Sequence, residues 1–213
     1  MKIGIIGAGN VGGTLGRILV KKGHEIVFGV RDPQSPKVQA TLEATGSIAR
    51  VASVKEAAAF GEVLILATPW NATQDAIAQA GDLTGKIIID AVNPIELTPA
   101  GLAAGLTVGH TTSAAEEIAK WATGASVVKA LNNIGASCFE NPQFGTQKAT
   151  AFICGDSAEA KKIVGNLVEE IGFEAIDAGD LKQARLLEPV GMLWIHLAFN
   201  GMGQDFSISL VKP

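Results

Sequence analysis

Gly7-Ala8-Gly9-Asn10-Val11-Gly12 directly follows the apolar run Ile3-Gly4-Ile5-Ile6 and opens a segment of helical pattern. No other feature restricts the fold of this chain so strongly. The glycines of a G-x-G-x-x-G have separate jobs. The first permits a tight turn, the second lets the backbone approach a pyrophosphate, and the third lets the helix pack closely on the strand. An anion held there meets free N–H groups at the positive end of the helix dipole. The motif alone is a weak signal. Here the strand before it, the helix after it and a second β-rich run at 25–29 complete a unit that binds a dinucleotide.

Further along, short β-rich runs alternate with alanine-rich helical segments, the rhythm of a parallel sheet with crossover helices. Strands are expected at 2–6, 25–29, 49–51, 63–67, 86–90 and 127–131. The run VLILA at 63–67 is continuously apolar, as in strands covered on both faces. A small polar residue with Glu or Gln three positions on marks helix starts at Ser53, Asn71, Ser113, Asp156 and Asp180. Turn formers gather over 132–147, which divides the chain into a dinucleotide domain, 1–135, and a small C-terminal lobe, 136–213. The lobe reads as a strand at 149–154, a helix at 158–170, a strand at 174–177 and a last helix from about Pro189 to Phe199. Val190, Leu193, Trp194 and Leu197 are predicted to form that helix's core stripe. The fold class is therefore α/β: a Rossmann-type doubly wound parallel sheet with a small C-terminal α+β lobe.

The end of the second strand selects the dinucleotide. An acid there would bond a ribose 2′-hydroxyl, but this chain has Gly29-Val30-Arg31-Asp32-Pro33. A guanidinium forks onto a phosphate, so Arg31 points to NADP(H) over NAD(H). Asp32 either serves a ribose hydroxyl or caps the following turn.

Missing residues narrow the chemistry. The chain has no tyrosine, which excludes the Tyr/Lys pair of short-chain dehydrogenases. Of its three histidines, His24 is expected at the surface, His110 in a structural role beside Ser113, and His196 in the core of the last helix. No ligand cluster with metal spacing occurs, so no metal is expected. Cys138 and Cys154 form no Cys-x-x-Cys and read as buried spacers. A net charge of −4 without a basic run argues against nucleic acid and anionic membranes. No apolar stretch is long enough to span a bilayer, and the opening strand is no signal peptide, so a reducing cytoplasm is expected. What remains is chemistry that asks for positioning more than for acids and bases, such as hydride transfer between two stacked redox rings.

A family resemblance rests on segments along the whole chain. They are 3–12 with Gly23-His24-Glu25-Ile26-Val27-Phe28-Gly29-Val30-Arg31; Ala67-Thr68-Pro69-Trp70; and Thr112-Ser113-Ala114-Ala115-Glu116-Glu117 leading to Val127-Val128-Lys129-Ala130-Leu131-Asn132. The last joins Gly155-Asp156-Ser157 and Ala178-Gly179 to Ala184-Arg185-Leu186-Leu187-Glu188-Pro189 and Trp194-Ile195-His196-Leu197-Ala198. On these residues the chain resembles the F420-dependent NADP oxidoreductases, and also the cytosolic reductase domain of the STEAP metalloreductases. The resemblance implies a homodimeric oxidoreductase that passes hydride between NADP(H) and F420 or a flavin, FMN or FAD. Its NADP(H) residues would be Gly7, Gly9, Asn10, Val11, Gly12, Val30, Arg31, Thr68, Pro69, Trp70, Asn93 and Asn132, with Thr68 and Pro69 along the nicotinamide ribose. Asn133, Ile134, Met192 and His196 would face the second ring or substrate, and His196 is the one candidate catalyst. The chain departs from the family at Val30, where a hydroxyl residue usually precedes the arginine, at Leu131, where phenylalanine is usual, and in the interrupted glycine stretch 199–204. The alternatives are a reductase of a small carbonyl, imine or ferric chelate, and a non-catalytic NADP-binding sensor.

Overall fold

Continuous aliphatic runs too short for stable helices bury both faces when they pair edge to edge, and in this chain they all join one sheet. The computed structural model describes residues 1–46, 48–98, 101–102 and 105–211. The sheet strands are β1 (Lys2–Ile6), β2 (Glu25–Gly29), β3 (Arg50–Ala52), β4 (Val63–Leu66), β5 (Ile87–Asp90), β6 (Ser126–Lys129), β7 (Thr150–Gly155) and β8 (Glu174–Asp177). They lie in the order β8-β7-β6-β5-β4-β1-β2-β3. All pairings from β3 to β6 are parallel. The order 3-2-1-4-5-6 is that of a doubly wound Rossmann sheet. β7 then runs antiparallel to β6, with Cys154 opposite Lys129, and β8 is parallel to β7. The C-terminal strands thus extend the same sheet.

Helices α1 (Asn10–Lys21), α2 (Pro36–Glu43), α3 (Val54–Phe60), α4 (Trp70–Ala80), α5 (Ala114–Trp121), α6 (Ala158–Ile171) and α7 (Ala184–Leu197) cover the sheet. One core cluster sets Leu15 and Leu19 of α1 and Val164 and Val168 of α6 against Ile3, Ile5 and Ile65. The other sets Ala57, Ala76, Ile118 and Leu187 of α3, α4, α5 and α7 against Leu64, Leu66 and Ile88. Alternate residues of β1 and β4 therefore feed opposite cores, which is why their sequences show no polar alternation.

Ser53 and Ser113 cap α3 and α5 as expected, and Glu56 completes a reciprocal capping box with Ser53. Three helix starts differ from expectation. α4 begins at Trp70, because Pro69, with its fixed φ of −59°, already sets the first turn ahead of Asn71. α6 is capped by Ser157, while Asp156 accepts a hydrogen bond from the Leu181 N–H. The last helix also begins earlier than expected, at Ala184, and carries Pro189 inside it. Its buried face is Ala184, Leu187, Glu188, Gly191 and Trp194, whereas Leu193 is 53% exposed. The predicted stripe through Val190, Leu193 and Leu197 is thus corrected. A charged residue and a glycine set the phase of α7, and a hydrophobic pattern is blind to both.

Candidate functional site

The crossovers after β1 and β4 leave on opposite faces of the sheet, and a cavity of about 510 Å³ opens between their carboxyl ends. Residues 6–9 form its floor. One wall is residues 29–32 with Ser35 and Lys37; the other is residues 67–69 with Asn71, Ala72, Asp75 and Gln79.

The glycine turn fits a pyrophosphate. Gly7 has φ 105°, and a Cβ there would lie 2.6 Å from the Ala67 carbonyl oxygen. A Cβ at Gly12 would lie 2.0 Å from the Gly7 oxygen. Gly7 is closed by the backbone that follows β4, and Gly12 by the turn's own backbone. At Gly9 a Cβ would meet nothing within 4 Å, so the space above it is open. Gly9 is also the N-cap of α1 and brings no capping side chain, which leaves the first-turn N–H groups for an anion. Asn10 and Val11 begin α1 beside this floor but do not line the cavity.

Val30 and Arg31 line the wall past β2. Asp32 caps the turn: its Oδ1 accepts from the Gln34 N–H at 3.0 Å. Sequence motifs pass over Ser35 and Lys37, which also line this wall. Their signal is the Ser-Pro helix start, since Ser35 is the N-cap of α2 and Pro36 its first residue. The start of α2 thereby brings a hydroxyl and a second cation beside Arg31.

Across the cavity, Thr68 and Pro69 line the opposite wall, and Thr68 Oγ1 shares a 2.9 Å hydrogen bond with Thr73 Oγ1. Trp70 is outside the cavity. Its indole stacks on Trp121 with centroids 5.4 Å apart, so it joins α4 to α5. Asn93 and Asn132 are also outside that cavity, and they hold each other. Asn93 Nδ2 donates to the Asn132 carbonyl at 2.7 Å, and Asn132 Nδ2 donates to Asn93 Oδ1 and the Leu187 carbonyl, each at 3.0 Å. They meet just past the end of β6, next to Leu131, whose φ of 64° is rare for a side chain with a Cβ. Asn133 and Ile134 are buried, at 1% and 5% exposure, and Met192 is half-buried.

Two of the three histidines depart from expectation. His196 is exposed, with the Asn200 amide against its ring, because the buried face of α7 passes through Glu188 and Trp194 on another side. His24 is buried between the Met1 ammonium, at 3.2 Å, and Glu170, at 3.0 Å. His110 is exposed, with φ 61°.

Next to the asparagine pair lies a charge cluster sealed from solvent. Lys129 Nζ is 2.8 Å from Asp90 Oδ2, 2.9 Å from Glu188 Oε1 and 2.6 Å from the Val92 carbonyl oxygen. Glu188 also accepts from the N–H groups of Ala114 and Ala115, at 2.9 and 3.1 Å, at the start of α5. Burial opposes the charge on Lys129, but Asp90 and Glu188 outweigh it and hold its pKa above the usual value. Burial pushes the Glu188 carboxyl up, against the pull of Lys129. The sequence contains no sign of this cluster, because its members sit on β5, β6 and α7 and meet only in the fold.

Comparison with known proteins finds relatives along the whole chain. The model of the family described as NADP oxidoreductase, coenzyme F420-dependent, matches residues 2–94. The F420-dependent NADP reductase of Methanothermobacter marburgensis is 32% identical over 222 residues, covering 100% of this chain and 99% of that protein. Metalloreductase STEAP3 of Rattus norvegicus is 32% identical over 190 residues, covering 89% of this chain, which spans 36% of that protein's length. A solved structure from Arthrobacter sp. FB24, described as a candidate F420-dependent NADP-reductase, superposes with a TM-score of 0.91 at 30% identity and covers 100% of both chains.

Proposed function

Since this chain belongs to the coenzyme F420-dependent NADP oxidoreductase family, we propose that it passes hydride between NADP(H) and a planar deazaflavin or flavin acceptor. It is an NADP-dependent oxidoreductase. One observation carries the cofactor assignment: a single cavity has an open glycine floor at Gly9 and the cations Arg31 and Lys37 on the wall past β2. The floor takes the pyrophosphate on the N–H groups of α1. Arg31, with Lys37 and the Ser35 hydroxyl, takes the 2′-phosphate, and Ser35 supplies the hydroxyl that Val30 lacks. Thr68 and Pro69 lie along the nicotinamide ribose.

When bound, NADPH supplies a hydride from its nicotinamide ring. The residues of this chain bind and orient it. Asn93 and Asn132 border the nicotinamide half, and Met192 and His196 of α7 border the acceptor. Residues 1–135 then serve the dinucleotide, and residues 136–213 bring α7 to the acceptor side. We read the working form as a cytoplasmic homodimer. Among the described residues, no helix is long and apolar enough to cross a membrane.

Purified protein mixed with NADPH and, separately, F420, FMN, FAD and ferric citrate tests the reading by loss of 340 nm absorbance. Reduction of F420 or a flavin is expected. NADPH binding without reduction of any acceptor would favour a sensor, and reduction of ferric citrate alone would favour a chelate reductase.

A further inference from the structure

A lysine and two carboxylates buried together are a poor device for stability alone. Each charge loses its hydration, and apolar residues of like volume often serve the fold as well. Yet Asp90, Lys129 and Glu188 are 0%, 0% and 1% exposed. What they join shows what they hold. Asp90 closes β5, Lys129 closes β6, and Glu188 on α7 accepts the first N–H groups of α5, whose positive dipole end offsets the cluster's surplus negative charge. Elements from both halves of the chain are thus fixed to one ammonium.

The next layer of hydrogen bonds grows from the same places. Asn93 follows Val92, Asn132 follows the left-handed Leu131, and Leu187 precedes Glu188. Gly191 lets this layer close, since a Cβ there would lie 2.6 Å from Asn93 Oδ1 and 2.7 Å from Asn132 Nδ2. Asn132 donates through Nδ2 to two partners, while its buried Oδ1 has none among the described residues. A buried acceptor left so is costly unless a donor arrives from elsewhere. In a doubly wound sheet, the second mononucleotide half of a dinucleotide lies on the β4–β5–β6 side of the reversal, the side where this layer sits.

We propose that Asp90, Lys129 and Glu188 form a positioning cluster for the nicotinamide half of the cofactor, holding Asn132 and α7 so that Asn132 Oδ1 accepts from the carboxamide N–H. The proposal rests on the NADP(H) reading above. The cluster itself neither touches the cofactor nor moves a proton. The phosphate sites at Gly9, at the reversal, and Arg31, past β2, lie outside this layer of hydrogen bonds.

Glu188→Gln keeps an acceptor for α5 and removes one charge. Calorimetry with NADPH and with 2′-phospho-ADP-ribose, which has the same phosphates but no nicotinamide, separates the two halves of the site. Glu188→Gln and Asn132→Ala are each expected to weaken NADPH about tenfold, the loss of roughly one hydrogen bond, and to leave 2′-phospho-ADP-ribose within about twofold. If Glu188→Gln does not fold, the uncharged set Asp90→Asn, Lys129→Met and Glu188→Gln, which leaves no lone buried charge, makes the same comparison. Equal losses for both ligands, or no loss for either, in a folded variant would overturn the positioning role alone. A wild-type protein that binds neither ligand would overturn the cofactor reading and the positioning role with it.

Discussion

Arg185 and Glu116 meet as a two-pronged fork, Nε donating to Oε2 at 2.9 Å and Nη2 to Oε1 at 2.6 Å. The pair ties the first turn of α7 to the first turn of α5, where Glu116 also accepts from the Ser113 hydroxyl. The bonds from Arg185 hold the Glu116 carboxyl below its ordinary value of 4.5. A carboxyl depressed in the folded state stabilises the fold above its unfolded value, and that contribution disappears as pH falls through the folded value. Both side chains are partly exposed, so solvent screening keeps the effect small. Arg185→Met is expected to lower the melting temperature at pH 7 by roughly 2–4 °C, with the gap to wild type shrinking as pH drops below 4.5. A gap of equal size at pH 7 and pH 3 would contradict the pairing.

Cofactor choice is tested at the wall past β2. Arg31→Ala is expected to weaken NADP(H) by about 1.5–3 kcal/mol, the range for hydrogen bonds to a charged group, and to leave NAD(H) nearly unchanged. Lys37→Ala should act in the same direction. Equal losses for both dinucleotides in a titration would remove the 2′-phosphate from this wall.

Gly9 and Gly12 should fail in different ways. Gly9 has φ −79° and ψ −161°, which valine adopts without strain, and the space above it is open. Gly9→Val is therefore expected to fold normally and lose dinucleotide binding. Gly12→Ala drives a methyl group into the Gly7 carbonyl and should unfold the protein at lower temperature whether or not ligand is present. Circular dichroism with NADPH titration distinguishes the two, and a Gly9→Val protein with normal NADPH affinity would falsify the cradle.

Both thiols should be inert in the folded protein. Burial pushes Cys154 up to about 12 and raises Cys138 as well, so neither supplies thiolate near neutral pH. At pH 8, a disulfide reagent is expected to label neither cysteine natively and both after denaturation. Rapid native labelling of Cys154 would show that the β6–β7 edge opens far more readily than its packing implies.

The nucleotide half is legible because its signals are local. Gly7, Gly9 and Gly12 act within one turn, and Arg31 follows its strand directly. The VLIL of β4 needs only its own composition to read as a doubly covered strand. What stays hidden depends on partners far along the chain. His24 looks like a surface residue until Glu170 of α6 arrives beside it. Trp70 sits in a motif that suggests the cofactor, but the flat face of Trp121 takes it elsewhere. Glu188 defeats pattern reading outright, because a carboxylate is assigned to solvent unless Lys129 and the start of α5 are known to face it.

The antiparallel pairing of β7 along β6 has a consequence for how such a chain can be inherited. A polypeptide cut at residue 135 would uncover β6, whose Val127 and Val128 are 5% and 0% exposed, and offer its bare edge to any passing strand. The segment that carries β7 and β8 is therefore no cassette. A recombination event that exchanged it would have to supply a replacement strand of matching register, a demand that two domains joined by a linker never face.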